Sequence, residues 1–108
     1  MEITIDDLSK VEITVGKILS AETIEGSDKL LKLRVDFGAT LGERQVLSGI
    51  SKYFPDPQVL VGKQCPFITN LPVRTMMGLE SQAMILAAGE GETFGLFETQ
   101  APPGAQAH

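Results

Sequence analysis

Residues 31–37 alternate without a break: Leu31, Leu33, Val35 and Phe37 are apolar, and Lys32, Arg34 and Asp36 between them are charged. Successive side chains of a strand point to opposite faces. The run therefore predicts a half-buried β-strand that carries two cations, Lys32 and Arg34, on its outer face. Eleven Gly and six Pro in 108 residues cut the rest of the chain into short pieces, which favours a β-rich fold over a helix bundle. Residues 11–15 alternate in the same way and predict a second strand. Gly16 lies inside that pattern and predicts a bulge or tight bend, with Ile18 and Leu19 carrying the strand on. Further strands are predicted at 44–50, 65–69, 84–88 and 94–97.

The connections read as turns. Residues 25–28 and 89–92 are turns by composition, 38–42 is a loop, and 70–78 is a polar loop holding Arg74, Met76 and Met77. Pro55 and Pro57 break the chain, and Pro57 starts a short helical turn through Leu60. Residues 3–10 predict a lead-in helix capped by Thr4, with Asp6 and Asp7 near the positive end of its dipole. Ala101-Pro102-Pro103-Gly104 opens a tail that need not be ordered. About five short core strands with one short helix between the third and fourth make an all-β OB-fold inventory, a five-stranded Greek-key barrel with extra C-terminal strands. A generic small barrel or sandwich is the structural alternative. The length allows one domain, 1–108, with a core at about 5–97 and a tail at 98–108.

The residue inventory excludes most chemistry. One Cys and one His, the latter at position 108, argue against a zinc site or a His-based triad, so no metal, cofactor or catalytic residue is expected. Phosphate-binding and nucleophile-elbow motifs are missing. Asp6 and Asp7 are explained by their place at a helix start. Cys65 reads as a buried small hydrophobe, and a single Cys suits a reducing cytoplasm. No apolar run reaches membrane-spanning length, and no signal peptide is expected ahead of the fold. The net charge is −5, but it is uneven: residues 29–74 hold seven Lys or Arg against Asp36, Glu43 and Asp56, while both flanking segments are acidic. Charge alone reads as ordinary solvated strand faces before it reads as a basic patch.

Three segments carry a resemblance. They are S-D-K-L-L-K-L at 27–33, S-G-I at 48–50, and N-L-P-V-R-T-M-M-G-L-E-S-Q-A-M at 70–84. In this order and spacing they resemble the tRNA-binding domain joined to the C-terminus of many bacterial methionyl-tRNA synthetases, a pattern shared by free-standing dimeric tRNA-binding proteins. The resemblance runs from about residue 5 to about residue 97 and implies a non-catalytic, homodimeric, structure-specific tRNA-binding module. It would serve an aminoacyl-tRNA synthetase, and its RNA contacts would come from Lys29, Lys32, Arg34, Arg44, Ser48, Asn70, Arg74, Ser81 and Met84. Basic side chains and a hydroxyl suit phosphate or 2′-OH, and a thioether suits a sugar or base face.

The chain departs from the family pattern in two places. The family loop N-L-x-P-R-K-M-R-G is matched at Asn70, Leu71, Arg74, Met76 and Gly78. Val73 replaces its Pro, Thr75 its Lys and Met77 its Arg, so two cations are gone from a loop expected to face RNA. Ala83 replaces the Gly of the family's S-x-G-M. A sister branch of the same fold resembles an export-related, peptide-binding chaperone; that function and a dimerisation module with weak RNA binding are the alternatives.

Overall fold

The chain is organised around β1 (Ile13–Thr23), the longest element of the computed structural model, which describes all of residues 1–108. Its first half, Ile13 to Lys17, pairs antiparallel with β4 (Gln64–Ile68), and its second half, Lys17 to Thr23, pairs antiparallel with β2 (Leu31–Asp36). With partners on different edges of different halves, β1 turns from one side of the sheet to the other. The ladder with β2 slips between Ile18 and Ser20, a bulge that leaves Leu19 exposed. With β3 (Glu43–Ser48) and β7 (Met84–Ile85) the sheet order is β3-β2-β1-β4-β7, a curled five-stranded antiparallel sheet. This is the OB-type architecture the strand inventory predicts. Inside it, Leu31, Leu33, Val35 and Phe37 are fully buried, and the Phe37 and Phe67 rings meet edge to face at 5.1 Å.

Gly16 is not the bend. Its register is continuous, opposite Cys65, and the bulge falls three residues later. Glycine is required there for space: a Cβ would lie 2.5 Å from Val35 Cγ1 and 2.6 Å from Phe37 Cε1. Core side chains of β2 fill the room that any other residue would need.

Thr4 caps the lead-in helix α1 (Ile5–Ser9), and Asp7 returns the bond to the cap N–H. Residues 38–42, expected as a loop, contain a single helical turn, α2 (Gly38–Leu41). Between β3 and β4 run two short 3-10 turns, Ser51–Tyr53 and Pro57–Leu60; Asp56 caps the second and Pro57 starts it as expected. The expected polar loop at 70–78 is instead the start of a hairpin, β5 (Arg74–Met76) and β6 (Leu79–Ser81), joined by Met77 and Gly78. Both turn residues have positive φ, 52° and 78°, as a type I′ turn demands. The strand expected at 84–88 divides at Leu86: β7 pairs with β4, while β8 (Ala87–Ala88) pairs with β9 (Gly95–Leu96).

The tail is held. Val15 N–H donates to Ala105, Gly104 N–H to Val15 and Ala107 N–H to Ile13, each at 2.8 Å. Residues 104–107 thus occupy the edge of β1 that β2 leaves free, and the Gln106 amide reaches the buried Thr14 hydroxyl. Cys65 is buried as expected; burial first, then Glu98, pushes its thiol up to about 11. No helix is long and apolar enough to cross a membrane.

Gly16→Ala should destabilise the fold by roughly 1–3 kcal/mol through overpacking. Chemical denaturation would show it as a lower midpoint. An unchanged midpoint would mean that β1 and β2 are not packed this closely.

Candidate nucleic-acid interface

Cross-strand partners share a face, so register builds the outer surface of the sheet. Glu22 and Lys32 lie opposite each other, as do Ser20 and Arg34, and Lys17 and Asp36. On the other side of β2, Lys32 faces Leu47 and Arg34 faces Gln45. Lys32 and Arg34 therefore share one face, as the alternation predicts. Each already has a carboxylate: Lys32 Nζ is 3.7 Å from Glu22, and Arg34 donates through Nε and Nη2 to Glu43 Oε1 at 3.1 and 3.0 Å. Exposed pairs of this kind contribute about 0–1 kcal/mol, so a phosphate can displace them.

The hairpin extends this face. Arg74, Ser81 and Met84 line a small cavity of about 70 Å³ together with Leu47, Met76 and Ala83. Leu47 is the cross-strand partner of Lys32, so the cavity adjoins the basic face of β2. Arg74 is exposed and makes no ion pair; Met84 is 45% exposed. Ser81 is buried within the closure of the barrel. Its hydroxyl accepts from Leu47 N–H at 3.0 Å and donates to the Ala83 carbonyl at 3.1 Å. Beside it, Gln82 N–H donates to Gln45 and the Gln82 side chain accepts from Gln45 N–H. These bonds join β3 to the segment before β7, where the sheet order has no ladder. Ala83 has no positive φ and its methyl is buried in the core, so the Gly-to-Ala departure is accommodated.

Four other predicted residues lie away from the cavity. Lys29 follows the 25–28 turn; its carbonyl accepts from Ser51 N–H, which brings Lys52 close in the fold. Neither lysine has a carboxylate partner, and Lys52 sits 5.0 Å over the Tyr53 ring. Lys52 was not among the predicted contacts; an unpaired cation leaves no mark in sequence. Ser48 pairs with Leu31, on the face turned away from Lys32 and Arg34. Arg44 pairs with Val35 and donates through Nη1 to the carbonyls of Thr69 and Gln82 at 2.9 and 3.2 Å. Asn70 accepts from Glu12 N–H and donates to the Lys10 carbonyl, tying the N-terminal segment to the loop before the hairpin. No group of His, Cys, Asp and Glu is arranged to hold a metal.

Ser81→Ala should cost about 1–3 kcal/mol, because the buried Leu47 N–H loses its acceptor. Differential scanning calorimetry should show a lower melting temperature. A neutral outcome would free Ser81 for a role outside the barrel closure.

A family model described as a putative tRNA binding domain matches residues 13–106. Methionine–tRNA ligase of Caldanaerobacter subterraneus subsp. tengcongensis is 49% identical over 86 residues, 80% of this chain and 13% of that protein. The corresponding ligase of Clostridium tetani is 46% identical over 101 residues, 94% of this chain and 15% of that protein. The chain thus spans about one seventh of the length of these relatives. Among solved structures, a MetRS-related protein from Pyrococcus horikoshii superposes with a TM-score of 0.88 at 36% identity, covering 100% of both chains. A CsaA chaperone protein from Picrophilus torridus superposes with a TM-score of 0.89 at 26% identity, covering 99% of this chain and 100% of that one.

Proposed function

Because the chain belongs to the tRNA-binding domain family, we propose that it binds tRNA by shape through the face shared by β2 and the β5–β6 hairpin. The observation that carries this reading is the family match across residues 13–106, which includes both the strand and the hairpin. Lys32, Arg34 and Arg74, with Lys29 and Lys52 nearby, meet phosphates. Such contacts position RNA without reading its sequence. The domain supplies binding and no chemistry. It holds tRNA near a methionyl-tRNA synthetase, in the cytoplasm, as an appendage or a separate partner. Ser81, Arg44 and Asn70 act on this site through the main chain they hold.

The paired carboxylates give a direct test. Glu22→Gln with Glu43→Gln unmasks Lys32 and Arg34 and should strengthen binding to bulk tRNA about threefold or more at low salt. Lys32→Ala with Arg34→Ala should weaken it and flatten its salt dependence by about two units of slope. Fluorescence polarisation against salt reads both. If neither double variant changes affinity, this face does not meet RNA.

We also propose a homodimer. Helix α1 buries no residue and leaves Ile5 and Leu8 exposed, and Phe97 is 51% exposed. Phe94 and Leu96, by contrast, pack against the core, Phe94 stacked on Tyr53 at 3.8 Å. Sedimentation at micromolar concentration should give about twice the chain mass, and Ile5→Ser with Leu8→Ser should lower it. A wild-type monomer would end this proposal. The likeness to the CsaA chaperone, with Met77 and Met84 exposed, favours a peptide-binding second reading. Binding of an unfolded basic peptide in preference to tRNA would put that reading first.

A further inference from the structure

Met77 is the only residue other than glycine with positive φ, at 52°. It occupies the first central position of the type I′ turn, which Asn, Asp and Gly fill without strain. The residue is 55% exposed. Its methyl lies near Gly26 of the turn between β1 and β2, where a Cβ would meet it at 3.5 Å. A strained, exposed, apolar side chain held at a hairpin tip points to a use outside the fold.

The surroundings select what it meets. Glu25 precedes Gly26 in the opposing turn, Asp28 follows it by two residues, and Glu80 follows the tip on β6. These carboxylates repel a phosphate but accept from a base amino group or a 2′-OH. Arg74, without an ion pair, stands at the other end of β5, within the same hairpin. We propose that Met77 is a base-packing residue: its thioether lies against an unpaired nucleobase of the bound RNA while Arg74 holds a neighbouring phosphate. This rests on the tRNA-binding reading and adds to it a preference for RNA with unstacked bases.

Met77→Asn keeps the turn and relieves its strain, and Met77→Leu keeps the apolar surface. Melting temperature and affinity for bulk tRNA and for a blunt RNA duplex would be measured for both, with Arg74→Gln beside them. Met77→Asn should melt a few degrees higher yet bind tRNA about fivefold or more weakly, with an unchanged salt slope. Duplex binding should not change, and Met77→Leu should bind tRNA as the wild type does. Arg74→Gln should lower the salt slope by about one. Equal tRNA binding by wild type and Met77→Asn would overturn the proposal, as would an equal loss on duplex. Wild-type protein that fails to bind tRNA at all would remove the underlying reading, and this one with it.

Discussion

The structure depends on one strand that changes partners halfway along. β1 pairs with β4 through its first half and with β2 through its second, and residues 104–107 take the edge that β2 leaves free. That division lets a sheet of short strands curl around Phe37 and Phe67. It is possible because residue 16 has no side chain where Val35 and Phe37 must sit. Curling carries β3 and β7 towards each other without a ladder between them, so closure falls to one main-chain bond, Gln82 N–H to Gln45, and to side chains. Ser81, Gln82 and Arg44 supply it by bonding main-chain groups across the gap. The same closure sets the β5–β6 hairpin beside Leu47, and hence beside Lys32.

The electrostatics follow from register. On the outer face, cations and carboxylates alternate across strands, so Lys32 and Arg34 are neutralised locally in a chain of net charge −5. A basic stripe in sequence has become a balanced surface in space. Lys17, Lys29, Arg44, Lys52 and Arg74 make no ion pair, and Arg44 is bonded to carbonyls instead. On the proposed reading, such a face would attract phosphate through a few free charges and then exchange weak internal pairs for phosphate contacts. It gains little long-range steering.

The strands whose alternation is strong were legible in sequence, 31–37 and the first part of β1, and the Pro57 turn was legible from its proline. What escaped depended on contacts that no local window holds. Gly16 reads as a bend because glycine in a strand so often marks one; only the position of Val35 and Phe37 shows that it is a matter of space. The hairpin escaped because Met77-Gly78 lacks the Asn-Gly or Asp-Gly signal of a type I′ turn. The order of residues 104–107 rests on β1 having a free edge, which is a property of topology. At the site, alternation placed Lys32 and Arg34 on one face, but their partners Glu22 and Glu43 lie on neighbouring strands and appear only with the register. Ser81 was legible as a marked position, and its burial was not.

The two cations missing from the hairpin, relative to the family loop, can be weighed against this frame. With Thr75 and Met77 in place of Lys and Arg, the hairpin keeps one cation, Arg74, and its tip approaches the turn that carries Glu25 and Asp28. Each absent phosphate contact removes about one unit of salt slope. On the proposed reading, a single domain of this kind would bind more weakly but lose less as salt rises. In a homodimer of the sort proposed, two such faces on one RNA, or one face tethered to an enzyme that binds the same RNA, raise the effective concentration of the second contact. Weak single contacts would then be an advantage, since the RNA could leave readily. The apolar tip fits the same logic. Packing against an unpaired base is insensitive to salt, so the contact proposed for Met77 would restore part of the affinity that the lost cations gave up without restoring their electrostatic reach.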